Sequence, residues 1–172
     1  MAYLVGGGLG LFLLLLRIGT FESFLFLQSK KEGVRSGDLA GLFKNKQLRS
    51  KYLYCILIGL PVWYIAGVLI AFCVPISNEL GIAEVNTANA IMYTYIGLSG
   101  GDLISGFLSQ YFKSRKQVII YFLISSFLLT TFYLFPLSTS TDWFYWMCLL
   151  LGAATGYWAL FVTMTSESFG TN

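Results

Sequence analysis

Five runs of apolar sequence, over 3–21, 52–74, 86–112, 118–136 and 143–165, leave this chain few folds to choose from. Each has roughly the 20 residues that a helix needs to cross a hydrocarbon core about 30 Å thick. The runs are continuous and lack the alternation, in segments of about 10 residues, that marks the strands of a membrane barrel. The first run is not a signal peptide. It has no basic start and no small-residue cleavage site, and it continues into Arg17-Ile18-Gly19-Thr20. The remainder is too poor in charge to cover a soluble surface: 11% of the 172 residues are charged, against about 25% in a soluble domain. The expectation is an all-α, polytopic membrane helix bundle with five transmembrane helices, and an ordinary soluble enzyme is excluded.

The placement of charge predicts the orientation. Lys30, Lys31, Arg35, Lys44, Lys46, Arg49 and Lys51 lie between the first two runs, and Lys113, Arg115 and Lys116 between the third and fourth. The other two connections carry only Glu79, Glu84 and Asp142. An alternating five-span chain therefore puts ten of its eleven basic residues on one side, which the positive-inside rule makes cytoplasmic. So confined a set of cations points to the bilayer as partner and away from nucleic acid. In the loop 28–51, Leu39, Leu42 and Phe43 at helical spacing beside Lys44, Lys46 and Arg49 suggest a short amphipathic helix on the inner membrane face; a basic loop that only sets topology is the alternative.

Chemistry-bearing residues are few. There is no histidine, and Cys55, Cys73 and Cys148 sit singly inside apolar runs, so neither a metal centre nor a disulfide framework is expected, and no cofactor. Asp102 is the one carboxylate deep inside a run, near mid-membrane, where a charge costs several kcal/mol and the default reading is functional. It shares a helical stripe with Tyr95, Ser99, Ser105, Gly106 and Ser109. The competing reading is a Gly/Ser packing face with Asp102 bonded to a neighbour. Pro61, in the middle of the second run and followed by Trp63 and Tyr64, should free a carbonyl and kink the helix. Gly152-Ala153-Ala154-Thr155-Gly156 is a small-xxx-small face for close helix contact, as is the glycine run Gly6–Gly8 with Gly10. Arg17 and Glu22 close the first run and Glu167 closes the fifth, all on the cytoplasmic face, where with Arg115 they are candidates for gating ion pairs.

Taken in order, these residues resemble helices six to ten of the twelve in a major facilitator superfamily transporter, of the sugar-porter-like or metabolite-transporter-like kind. Phe21-Glu22-Ser23-Phe24-Leu25-Phe26-Leu27 is similar to the P-E-S-P-R-aromatic-L signature after helix six, with both prolines and the arginine replaced. The segment from Gly106 to Lys116 is similar to the G-x3-D-R-x-G-R-R loop, with Gln110 in place of the Asp. Glu167-Ser168-Phe169-Gly170-Thr171 is similar to the E-x-F-x-T end of helix ten. The resemblance implies three parts: 1–27 as the helix closing the N-terminal half, 28–51 as the cytoplasmic central loop, and 52–172 as four helices of an incomplete C-terminal half. The apolar start, with no polar tail before it, and the stop after the fifth run are then expected of a fragment, with the missing helices of the same transporter as its partners.

It further implies alternating-access transport of a small organic solute or metabolite, coupled to protons through Asp102. Trp63, Tyr64, Asn89, Tyr93 and Trp158 would face the substrate cavity, and the expected location is the bacterial inner membrane. A non-transporting scaffold or receptor relative is the alternative. A membrane-embedded enzyme ranks below both, because it needs clustered carboxylates, histidines or cysteines.

Overall fold

The computed structural model describes residues 2–18, 46–82 and 84–169. Among these residues the chain is all-helical. It forms two compact units, 1–38 with 171–172, and 39–170. The first contains α1 (Ala2–Ile18), a leucine-rich helix that ends on Arg17, where a cation suits the negative end of the helix dipole. The segment proposed as an amphipathic helix, 39–45, lies outside the described residues.

The second unit contains α2 (Lys46–Tyr64), which runs on as a π-helix over Ile65–Ile70, then α3 (Cys73–Glu79), α4 (Thr87–Phe112), α5 (Arg115–Leu134), α6 (Thr141–Thr155) and α7 (Trp158–Phe169). Three stretches, Lys46–Ile70, Arg115–Leu134 and Thr141–Ser166, are long and apolar enough to cross a membrane. At 26 residues α4 is as long as any of them; its glycines, serines and Asp102 lower its apolarity. The unit therefore has the helices of a membrane bundle; among the described residues of the whole chain three stretches meet both criteria, where five spans were expected, and the apolar helix of the first unit is shorter.

The boundaries have local causes. Asn86 caps α4, its side-chain oxygen accepting from the Ala88 N–H at 2.8 Å, and Ser140 caps α6 through the Trp143 N–H at 3.3 Å. Both satisfy donors that a helix start leaves open. Lys113 ends α4 in the left-handed region, at φ 50°.

The break in the second apolar run is not at Pro61. α2 passes through that residue, and the backbone changes register over Ile65–Ile70, beginning four residues later. Proline removes the single hydrogen bond to Leu57 and leaves the following turn to adjust. Such adjustments survive in hydrocarbon where neighbours bond the backbone of the altered stretch, and two buried tyrosines reach carbonyls on either side of Pro61. Tyr133 Oη of α5 donates to the Leu69 carbonyl inside the π segment at 3.0 Å, and Tyr157 Oη donates to the Ile58 carbonyl of α2 at 2.7 Å. Tyr157→Phe should therefore lower the stability of the protein in detergent by about 1 kcal/mol, as for other interhelical hydrogen bonds in membranes. Thermal unfolding would measure this.

The core has two parts. One joins the π segment, Cys73 and Ile82 to Tyr133, Phe144, Cys148 and Leu151. The other joins Ile119, Tyr157 and Phe161 to the partly buried side chains of α2 and α5. Between α4 and α6 glycine replaces side-chain packing. A Cβ on Gly97 or Gly101 would collide with the backbone of Leu149 or Ala153, and one on Gly152 or Gly156 with the backbone of Thr94 or Gly101. Ser126 Oγ of α5 donates to the Ala154 carbonyl at 3.0 Å, tying a third helix to this pair. The expected close-contact face in the fifth run is thus occupied by α4.

Charge divides between the two ends. Lys51 and Lys116, from the starts of α2 and α5, line one groove. At the other end, the starts of α4 and α6 meet where the Asn86 N–H donates to Tyr145 Oη at 2.9 Å, close in sequence to Glu84 and Asp142.

Candidate functional site

Two of the transmembrane stretches are irregular: the first in its π segment, the third at Gly156-Tyr157, between α6 and α7. Both irregularities border one cleft of about 390 Å³. Trp63, Ile65, Ala66 and Ile70 form one wall; Thr94, Tyr95 and Leu98 of α4 form a second; Thr155 and Trp158 flank the α6–α7 break on the third. The π segment turns Ile65 and Ile70 toward this space, while Gly101 and Gly156 bring α4 up to the break, backbone against backbone.

The tryptophans divide the space. Trp63 and Trp158 meet edge to face, with ring centroids 5.9 Å apart. The same pair also lines a second groove of about 430 Å³ on the side of Tyr52, Cys55 and Gly59, nearer the basic end. The pair therefore stands as a partition between the central cleft and a groove leading toward the lysine-bearing end.

The cleft lining is apolar and uncharged: aliphatic side chains dominate, with Trp63, Tyr95 and Trp158 as its aromatics and Thr94 and Thr155 as its hydroxyls. Thr94 Oγ1 donates to the Ala90 carbonyl at 2.7 Å and Thr155 Oγ1 to the Gly152 carbonyl at 2.7 Å. With their protons spent on their own helices, both oxygens keep lone pairs for a guest, and Trp63, Tyr95 and Trp158 supply aromatic surface. Such a lining can bind and orient a solute. Among the described residues no three of His, Cys, Asp and Glu gather as a metal site would require.

Asp102 lies one helical turn from Leu98 on the same stripe of α4, beside the cleft rather than in its lining. The residue is half-buried, and its Oδ1 is buried with no hydrogen-bond partner among the described residues. The Asp102 carbonyl accepts from Ser105 Oγ at 2.9 Å, and its N–H edge is pressed against Gly156 at the α6–α7 break. A carboxylate oxygen held away from water and without a donor is costly as an anion.

The other sequence-predicted positions scatter. Tyr64 is 40% exposed and falls outside the cleft. Asn89 is exposed on α4. Tyr93 stacks on Tyr145, centroids 5.3 Å apart, and belongs to the outer staple with Asn86. Of the four proposed gating residues, Glu22 and the side chain of Glu167 lie outside the described residues, Arg17 ends α1, and Arg115 opens α5 as an exposed side chain. Thr94, Tyr95 and Thr155 were missed as lining residues. Tyr95 stood on the polar stripe of Asp102, and Thr155 inside the small-residue run, where it was read only as packing.

No family model, curated protein or solved structure matches the chain.

Proposed function

We propose that this chain is part of a secondary transporter of the major facilitator kind, which moves a small organic solute or metabolite across a membrane by alternating access and couples the movement to protons through Asp102. The observation that carries the reading is the convergence of two irregular helices on one apolar cleft, with the half-buried Asp102, whose Oδ1 has no hydrogen-bond partner among the described residues, one turn away. Discontinuous helices near the bilayer midplane are where transporters build their sites. The Trp63–Trp158 partition supports it as well: a pair of rings between the central cleft and the basic-end groove is a gate in the sense alternating access needs. A third support is Lys113. Its left-handed φ of 50° falls where the G-x3-D-R-x-G-R-R loop carries its second glycine, the residue for which that conformation is free of strain.

The solute enters the cleft, displaces water from the apolar walls and is held by the threonine oxygens and the aromatic surface. Protonation of Asp102 removes a charge from the turn that α6 and α7 press upon, and the break at Gly156-Tyr157 lets α7 and Trp158 move while α4 and α6 stay locked.

Labelling tests this without knowledge of the solute. In a protein whose Cys55, Cys73 and Cys148 are replaced by alanine, a single cysteine at Leu98 should react with an impermeant thiol reagent from one side of the membrane. Trp158→Ala, which opens the partition, should raise its reactivity from the basic-end side severalfold. A cysteine at Leu98 that is unreactive from both sides would mean that the cleft faces lipid, and the transport reading would fail.

A further inference from the structure

A groove of about 480 Å³ runs between α2, α5 and α7 at the basic end of the bundle, apart from the central cleft. Its floor is apolar, built from Ile58, Ile119, Leu123 and Met164, and Lys51 and Lys116 line it together with Tyr54. Both lysines are exposed, and among the described residues neither meets a carboxylate. They come from the starts of two different helices, so the fold itself places two ammonium groups on one apolar trough. Lysine stems lie along such a surface and lift their charges to the headgroup level.

We propose that this groove binds an anionic phospholipid of the cytoplasmic leaflet, with its phosphate between Lys51 and Lys116 and an acyl chain along the Ile58–Ile119–Leu123 floor. The charge pattern selects a monoanionic or dianionic headgroup over a zwitterionic one, because two cations line the groove and, among the described residues, no carboxylate does. The apolar floor selects a lipid over free phosphate, which would leave it uncovered. Basic pockets between helices on the cytoplasmic side have this general preference. The proposal rests on the membrane setting and stands whatever solute is carried.

The test is native mass spectrometry of the protein purified from membranes in detergent and titrated with phosphatidylglycerol or phosphatidylcholine of matched chains. Phosphatidylglycerol should be retained at least about tenfold more tightly. Lys51→Gln with Lys116→Gln should weaken it by about fivefold per lysine, whereas Lys46→Gln with Arg49→Gln, at the same end of α2 but off the groove, should change it less than about twofold. The comparison of the two lipids on the unsubstituted protein needs no variant to fold. Equal retention of both lipids, equal loss in the two double variants, or full displacement of phosphatidylglycerol by millimolar inorganic phosphate would overturn the proposal; the last result would mark a phosphate site instead.

Discussion

Gly101→Ala is expected to destabilise the protein by about 1–3 kcal/mol, the usual cost of forcing extra methylenes into a packed interior, and Gly101→Leu to prevent the α4–α6 contact from forming. A Cβ on Gly101 has nowhere to go, because the space is taken by the Ala153 carbonyl, which is backbone and cannot rotate aside. Gly97 against Leu149 and Gly152 against Thr94 are the same kind of contact, and Gly152→Ala should behave likewise. In lipid this matters more than it would in water, since the helices gain nothing from hiding apolar surface and associate through close packing and hydrogen bonds. The adjacent Gly100 is the control. A Cβ there meets nothing within 4 Å, so Gly100→Ala should be neutral or stabilising by up to about 1 kcal/mol from the better helix propensity of alanine. Thermal unfolding in detergent, followed by circular dichroism, would separate the two positions. Equal effects at 100 and 101 would contradict the close packing of α4 on α6.

That contact also bears on movement. With α4 and α6 in backbone contact and α5 tied on by Ser126, these three helices would be the fixed part of the unit in the proposed transport cycle. The parts free to change are the π segment and the α6–α7 break, the two places where the regular backbone ladder is already given up. Tyr133 of α5 holds the π segment to these helices through a single hydroxyl bond, whereas Tyr157, at the α6–α7 break, bonds to the Ile58 carbonyl of α2.

Much of this arrangement was legible from the order of the residues. Helix starts at Asn86 and near Trp143 follow from local capping chemistry and apolar length, and the Gly152–Gly156 face follows from the absence of side chains. The place of Asp102 inside a long helix follows from counting residues along a run. The exact sites of backbone breakage were not legible, because Pro61 marks a weakness without saying which turn will yield. The answer depends on which carbonyls a distant tyrosine reaches, and Tyr133 and Tyr157 lie 64 and 99 residues from their acceptors in sequence. The site was legible in part for the same reason. Trp63 and Trp158 come together only because two helices pack side by side, whereas Tyr93, one turn from Asn89, turns out to serve the outer staple with Tyr145. Helical spacing says which residues share a stripe; it does not say which neighbour the stripe will meet.

The central claim is that Asp102 couples proton movement to solute movement, and the replacement Asp102→Asn tests it most directly. Asparagine keeps the shape of the protonated acid and cannot release a proton, so the variant should cycle as if permanently loaded. In vesicles containing the whole transporter, a potential of about 100 mV acting on one proton supplies about 2.3 kcal/mol, enough for roughly 50-fold accumulation of a neutral solute. The measurement is the steady-state accumulation ratio and the rate of solute exchange, taken side by side for the two proteins under that potential. The account predicts that Asp102→Asn brings the accumulation ratio down to about 1 while exchange of internal for external solute continues. Accumulation undiminished in Asp102→Asn would contradict it and leave Asp102 a packing residue against the α6–α7 break.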